Sequence, residues 1–316
     1  MRRAALLYNP ASGVRRERRA ADVEAVRRVL ESAGIEASAV PTRHAGSAAE
    51  QAAEAIAAGC DAILACGGDG TVHEALQGIV ATGSRTPLGV IPLGTGNALA
   101  NDLGLSRDPA QAAQALVQGA TQRIALGRME YTAANGSTGS RWFVLMAGCG
   151  PDACMLYSMN LAAKAHIGMG AYYWQAGWMF LTRRFPPFEA EVTEPGGAQH
   201  TLTVCQMMAV RISYFGGALR RLAPGAALNR DCLRVLLYRP PVKPRYFLYL
   251  LGVFLGINWR VPGVEAMDAT EVVCRASKNE ARTVHAEADG ELLGRLPVRV
   301  SIVPDALTLL VPRRPS

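Results

Sequence analysis

The sequence predicts an α/β domain built on a parallel sheet, followed by a second domain that is an antiparallel β-sandwich. Three observations lead there. The chain has 316 residues, more than one domain usually holds, and its 50% hydrophobic and 19% charged residues suit packed cores rather than disorder. The first 120 residues alternate short apolar strand-like runs with helix-like stretches, the pattern of a parallel sheet with right-handed crossovers. After about Ala125 the helical period gives way to short runs bounded by turn residues. The expected domains are therefore 1–125 and 126–303.

In order, Ala4 to Tyr8 is an apolar strand, and Arg18 to Ser32 is a helix with Val23, Val26 and Leu30 on one stripe. Ala37 to Val40 is a short strand. Ser47 to Ala58 is an alanine-rich helix with Ser47 as its expected N-cap. Ala62 to Cys66 is a buried strand, Val72 to Val80 a helix after a glycine turn, and Leu88 to Ile91 a strand followed by another glycine turn and helix. In the second domain Ile124 to Tyr131, Arg141 to Ala147, Phe188 to Thr193, Thr201 to Ile212 and Leu233 to Arg239 are expected strands, as are Glu271 to Ala276, Thr283 to Ala288, Val298 to Val303 and Leu307 to Val311. A helical insert, about Met155 to Arg184, interrupts them.

Composition removes several classes of function. Seven cysteines without a Cys-x-x-Cys and five scattered histidines fit reduced thiols in a cytoplasmic protein, not a disulfide frame or a zinc site. The apolar run after Met1 is too short for a signal peptide. The longest apolar stretch, Tyr246 to Ile257, falls short of the roughly 20 residues that a spanning helix needs. Net charge is +7, and all the basic residues except Lys164, Lys243 and Lys278 are arginines, which favour phosphate and anionic headgroups. They are not interleaved with aromatics as in a nucleic-acid-binding module, so nucleic acid is not an expected partner.

The chemistry-bearing pattern is Gly67-Gly68-Asp69-Gly70-Thr71, directly after a buried strand and before a helix. Glycines let the backbone approach a ligand, the helix start offers N–H groups to phosphate, and Asp69 puts a carboxylate where Mg²⁺ would sit. The plain alternative is a tight strand-to-helix turn with Asp69 as a cap. Pro92-Leu93-Gly94-Thr95-Gly96-Asn97 repeats the arrangement after the next strand, and Asn9-Pro10-Ala11-Ser12-Gly13 ends the first strand. In a parallel sheet such loops converge on one crevice, here a cleft for a polyphosphate. Neither a P-loop nor a Gly-x-Gly-x-x-Gly fingerprint is present, nor a protein-kinase His-Arg-Asp loop. Late in the chain Glu287, Asp289 and Glu291 alternate. On a strand Asp289 and Glu291 would share a face, whereas the glycine between them also suits a turn.

With Thr42, Gly67 to Glu74, Leu93 to Ala100, Gly148 to Ala153, Pro224 to Leu233 and Asp289-Gly290-Glu291, the chain resembles the diacylglycerol kinase catalytic domain family over nearly its whole length. That family includes sphingosine kinases and shares its Gly-Gly-Asp-Gly-Thr core with NAD kinases. The resemblance implies an NAD kinase-like first domain, with a C-terminal strand in 304–316 returning to it, and a lipid-substrate sandwich domain. It implies ATP held by Asn9, Pro10, Ala11, Ser12, Gly13, Thr42, Gly67, Gly68, Asp69, Gly70, Thr71, Val72, His73, Glu74, Gly94, Thr95 and Asn97. It makes Asp289 the general base, has Glu291 assist the catalytic Mg²⁺, and places a structural Mg²⁺ on Asp231 and the carbonyls of Leu228 and Leu233. Two positions depart from the pattern: Ala98 stands where many diacylglycerol kinases carry Asp, so that Gly96-Asn97-Ala98-Leu99-Ala100 looks more like sphingosine kinases, and Cys232 stands where the family usually has Gly.

The expected activity is ATP-dependent phosphorylation of a primary hydroxyl on diacylglycerol or a related lipid, a sphingoid base included, at a membrane surface. The alternatives are an NAD kinase-like enzyme and a non-catalytic lipid- or nucleotide-binding protein. A homodimer is left open. The apolar segments Met155 to Arg184 and Tyr246 to Trp259 read either as core or as an acyl-chain slot facing a membrane, with Arg183, Arg184, Arg220, Arg221 and Arg245 nearby as contacts to anionic lipid.

Overall fold

The computed structural model describes residues 1–10, 16–153, 182, 184–216, 222–257, 260–277 and 283–313, with Arg16 as backbone only. The expected insert Met155 to Arg184, apart from residues 182 and 184, lies outside them, as do Ala11 to Gly13, Arg220, Arg221 and Trp259. Two compact units form: Met1–Leu126 with Tyr214–Gly217 and Pro304–Ser316, and Gly127–Ser213 with Ala218–Val303.

The first unit is the α/β fold. Strands β1 (Arg3–Tyr8), β2 (Glu36–Pro41), β3 (Ala62–Gly67) and β4 (Leu88–Pro92) are parallel, in the order β2-β1-β3-β4. The end of the long strand β15 (Glu291–Val311) lies parallel to β4, with Leu309 opposite Leu88. Every residue of β3 is buried, as a central strand covered on both faces requires. Helices α1 (Arg19–Ser32), α2 (Ser47–Ala57), α3 (Asp69–Ala81), α4 (Ala98–Asp102) and α5 (Pro109–Val117) complete the unit, α1 packing on α5 and α2 on α3. Helix α5 starts with Pro109 in its first turn, and the Asp108 side chain accepts the Gln111 N–H at 2.9 Å.

The start of α2 departs from expectation. Gly46, in the left-handed region, is the cap position, and Ser47 is already helical. Ser47 Oγ instead accepts the Arg43 and His44 N–H groups at 3.0 and 3.1 Å, tying down the preceding turn.

The second unit is a sandwich. One layer runs β12 (Val264–Ala269), β11 (Leu233–Tyr238), β10 (Gln206–Val210), β7 (Met146–Cys149), β14 (His285–Ala288) and the first part of β15. The other runs β9 (Gln199–Val204), β8 (Phe188–Thr193) and β13 (Glu271–Ala276) onto β15, which also pairs with β5 (Ala120–Thr132) beside β6 (Thr138–Phe143). Phe188, Val192 and Val204 from one layer meet Met207, Val235 and Leu237 from the other in a single buried cluster. Helix α6 (Val242–Leu255) follows β11.

Two expected strands are broken. Thr201 to Ile212 divides at Cys205 into β9 and β10, which pair with different neighbours, β8 and β11. Arg141 to Ala147 divides at Val144 and Leu145, so β6 pairs with β5 while β7 pairs with β10 and β14. The cause of the second break lies in the functional site.

Candidate functional site

In the first unit, four parallel strands deliver their ends to one sheet edge: Asn9 after β1, Thr42 after β2, Gly68 after β3 and Leu93 after β4. Thr42 prolongs the β1 ladder, its N–H donating to Tyr8 C=O at 2.8 Å. The two glycine loops are packed backbone against backbone. Leu93 N–H donates to Gly67 C=O at 3.0 Å, and a Cβ on Gly94 would come within 2.4 Å of Gly68 Cα. No side chain larger than hydrogen fits at Gly94, which is the physical reason for glycine there, while a Cβ on Gly68 would be a tight contact, 3.3 Å from Gly94 Cα.

The first loop then opens α3, whose first residue is Asp69, with Thr71 and Val72 N–H groups closing back onto Gly68 C=O at 3.0 and 3.2 Å. Asp69 Oδ2 lies 3.0 Å from the place a Cβ on Gly96 would occupy, so its carboxylate stands against the second loop. That loop is held by Asn97, a left-handed residue with φ of 54°. Its side chain accepts Gly94 N–H at 2.9 Å and donates to Gly94 C=O at 2.8 Å. Asn tolerates this conformation better than most residues. Arg19, 2% exposed, donates to Leu93 C=O at 2.7 Å, and burial pulls its guanidinium below the ordinary arginine value. The sequence offered a signal for it: Arg19 is a charge on the same helical stripe as Val23, Val26 and Leu30. A cavity of about 320 Å³ borders the second loop, lined by Pro92 to Thr95, Asn97, Asp22, Arg107 and Pro109.

Not every residue of the first string points the same way. Glu74 receives the Gly46 and Ala48 N–H groups at 3.1 and 3.2 Å, so it caps α2 and complements the positive end of that helix. His73 is 1% exposed.

In the second unit, Asp289-Gly290 is a two-residue turn between β14 and β15, with Ala288 opposite Glu291 and φ of 48° and 84°. Both central residues at positive φ make it the tight hairpin turn for which Asp-Gly is suited. Asp289 and Glu291 therefore do not share a strand face. Asp289 turns inward, 7% exposed, and its carboxylate accepts three backbone N–H groups, from Val144 at 2.9 Å, Leu145 at 2.8 Å and Met146 at 3.0 Å. The first two amides belong to the residues where the expected strand breaks, and the third to Met146, which opens β7. The Val144 and Leu145 amides turn toward the carboxylate instead of a neighbouring strand. Glu291, half-exposed, accepts from Arg141 Nη2 at 2.7 Å.

A second polar cluster in this unit was not singled out from the sequence. Glu287 lies opposite Gly148 in the ladder, and the Asp152 carboxyl sits over the bare Cα of Gly148, where a Cβ would meet its Oδ2 at 1.9 Å. Asp152 Oδ2, Glu287 Oε1, Gln206 Nε2 and Tyr238 OH are all buried without a hydrogen-bond partner among the described residues. Burial pushes Asp152 up to about 7, and burial together with the Asp152 charge pushes Glu287 well above the ordinary carboxylate range. The local hints are the alternation at Glu287 and the string Gly148 to Ala153, which contains Asp152, but nothing in the sequence joins them, because the two carboxyls are over a hundred residues apart.

The loop before β11 is held by arginines. Arg211 donates to the carbonyls of Arg230 and Cys232, each at 2.7 Å, and of Leu228 at 3.0 Å. Arg230 donates to Gly225 C=O at 2.7 Å, and Arg234 to Pro224 C=O at 2.9 Å. Both arginines pair with Asp268, while Asp231 is exposed.

With this geometry in view, comparison with known proteins is decisive. Residues 3–129 match the model of the diacylglycerol kinase catalytic domain, and residues 148–311 match the YegS C-terminal NAD kinase beta sandwich-like domain. The diacylglycerol kinase of Bacillus subtilis (strain 168) is 34% identical over 302 residues, covering 94% of this chain and 92% of that protein. The chain belongs to the diacylglycerol kinase catalytic domain family. It is a lipid kinase. The diacylglycerol kinase of Mycobacterium tuberculosis (strain ATCC 25618 / H37Rv) is 32% identical over 316 residues, covering 97% of this chain and 94% of its own. A crystal structure of a diacylglycerol kinase from Bacillus anthracis str. Sterne superposes with a TM-score of 0.69 at 17% identity, covering 98% of this chain and 96% of that one. At that identity it speaks to the fold, an α/β domain with a β-sandwich-like domain. Among the described residues no helix is long and apolar enough to cross a membrane.

Proposed function

We propose that this lipid kinase transfers the γ-phosphoryl group of ATP to the primary hydroxyl of diacylglycerol at a membrane surface. The observation that carries the nucleotide part is the pair of glycine loops packed backbone to backbone at the carboxyl edge of a parallel sheet. Such an edge presents N–H groups and a helix start to phosphates, and charge is distributed by geometry that costs no rearrangement during transfer. Asn9, Thr42, Gly68, Asp69, Gly70, Thr71, Gly94 and Thr95 line that edge and would contact ATP. Mg²⁺, a hard cation suited to the Asp69 carboxylate, would neutralise charge on the phosphate oxygens.

Diacylglycerol as acceptor is supported by the named activity of the two bacterial relatives. A lipid surface is supported by α6. Phe247, Leu248, Leu251, Phe254 and Leu255 fall on one exposed stripe, with Phe254 69% and Phe247 64% exposed. The opposite face packs Tyr246 and Tyr249 onto Tyr238, with ring centroids 5.4 and 5.6 Å away. An amphipathic helix of this kind, on a protein of net charge +7, suits an anionic bilayer. In the acceptor step Asp289 would take the proton of the hydroxyl, with Glu291 beside it on the same hairpin.

The test is transfer of labelled γ-phosphate from ATP into material that extracts into organic solvent, over vesicles carrying diacylglycerol, ceramide or a sphingoid base. Label in the diacylglycerol product alone is the expected result. Label on NAD in the aqueous phase, or no transfer to any lipid, would overturn the reading.

A further inference from the structure

The resemblance that identifies the nucleotide loops also implies a structural Mg²⁺ on the loop before β11, held by Asp231 and by the carbonyls of Leu228 and Leu233. In this chain that loop already contains a cation. The Arg211 side chain is 0% exposed, and its guanidinium lies among Leu228 C=O, Arg230 C=O and Cys232 C=O at 2.7 to 3.0 Å. We infer that Arg211 does covalently, as a resident part of the chain, the work that a divalent ion would otherwise do in this loop, so that the second unit folds without a structural metal.

Four observations carry this. The planar guanidinium fork suits several converging carbonyls, and it reaches three of them at ordinary hydrogen-bond distances. A Mg²⁺ ion needs oxygens at about 2.0–2.1 Å in near-octahedral arrangement. An ion drawn to Leu228 C=O would lie beside the buried positive charge already bonded there, with little solvent to screen the repulsion. The neighbouring carbonyls are committed in the same manner, Gly225 C=O to Arg230 and Pro224 C=O to Arg234. The carboxylate that would have to lead the coordination, Asp231, is exposed, and the partly buried acid at the loop, Asp268, pairs with Arg230 and Arg234.

The identity of residue 232 fits as well. Among the described residues the non-glycines at positive φ are Asn97, Asp289 and Asp305. Cys232 is outside that group, so the loop passes this point in a conformation any L-residue adopts, and glycine is not required.

The test uses the full chain without nucleotide. Thermal melts in EDTA, in millimolar Mg²⁺ and in millimolar Ca²⁺ should coincide within about 1 °C, because bound ligand stabilises only where a site exists. Arg211→Met should melt at least about 5 °C lower in EDTA, since it strands the three carbonyls. Arg211→Lys, a point charge without the fork, should fall between. Failure of Arg211→Met to yield folded protein would support the role, and the unmodified chain would then decide the metal question. A metal-dependent rise in the melting temperature of the unmodified chain that disappears in Asp231→Asn would overturn the inference. So would an Arg211→Met variant that melts in EDTA like the parent.

Discussion

Replacing Asp289 by asparagine should injure the fold as well as the reaction. The carboxylate accepts three backbone N–H groups at 2.8 to 3.0 Å from Val144, Leu145 and Met146, two on Oδ1 and one on Oδ2. An asparagine keeps one carbonyl oxygen and turns an NH₂ toward the third donor. Hydrogen bonds to a charged group contribute about 1.5–3 kcal/mol, and a buried donor left unpaired costs about 1–3 kcal/mol. Asn accepts the left-handed φ of 48°, so backbone strain adds little. The expected loss is about 2–4 kcal/mol, or roughly 5–12 °C in the melting transition of a unit of this size. Asp289→Ala strands all three donors and should lose more. Glu291→Gln weakens a partly exposed pair with Arg141, worth under about 1 kcal/mol. Thermal melts of the three variants against the parent provide the assay, with rates measured well below every transition to separate chemistry from unfolding. An Asp289→Asn protein melting within about 2 °C of the parent would refute the reasoning, since the carboxylate would then not be what bends the chain at Val144 and Leu145.

Asp69→Asn should lower phosphoryl transfer by about 100-fold or more with little change in melting, because the loop turns through its glycines; rates within a few-fold of the parent would remove Asp69 from the phosphate site. Gly94→Ala puts a methyl 2.4 Å from Gly68 Cα, so it should destabilise the first unit by about 1–3 kcal/mol and weaken ATP binding, measurable by calorimetry. Asp152 has its folded-state value raised from 3.8 to about 7, so the unfolded chain releases that proton first, and stability from this group falls as pH rises from about 4 to about 7. Asp152→Asn should therefore gain stability relative to the parent as pH rises from about 4 to about 8; equal pH slopes in denaturant titrations would contradict this. Phe247→Ser with Phe254→Ser should weaken binding to anionic vesicles in a sedimentation assay without lowering the melting temperature, since both side chains are exposed.

How much was legible in the sequence depends on how far the deciding groups lie from one another along the chain. The parallel α/β half follows from local periodicity, since buried strands such as Ala62–Gly67 and helices with one apolar stripe encode themselves within a dozen residues. The glycine loops were readable for the same reason: a strand end, a turn and a helix start are neighbours in sequence, and the approach of Gly94 to the Gly68 backbone only explains afterwards why Gly94 lacks a side chain. The second half was legible as alternating strands, but its breaks were not. Val144 and Leu145 continue an apolar run, and nothing near them announces the carboxylate 144 and 145 positions away that draws their amides out of the ladder. Glu74 belongs to the nucleotide string by position, yet it caps a helix begun 27 residues earlier, at Ser47. Tyr214–Gly217 joins the first unit although the strand just before it, β10, belongs to the second. The meeting of Asp152 with Glu287 and the seat of Arg211 among loop carbonyls were likewise decided only in the folded chain. Local pattern specifies which residues face a core. A lone polar side chain carries no period, and its partner is chosen by whichever buried donor or acceptor the tertiary fold leaves within 3 Å of it.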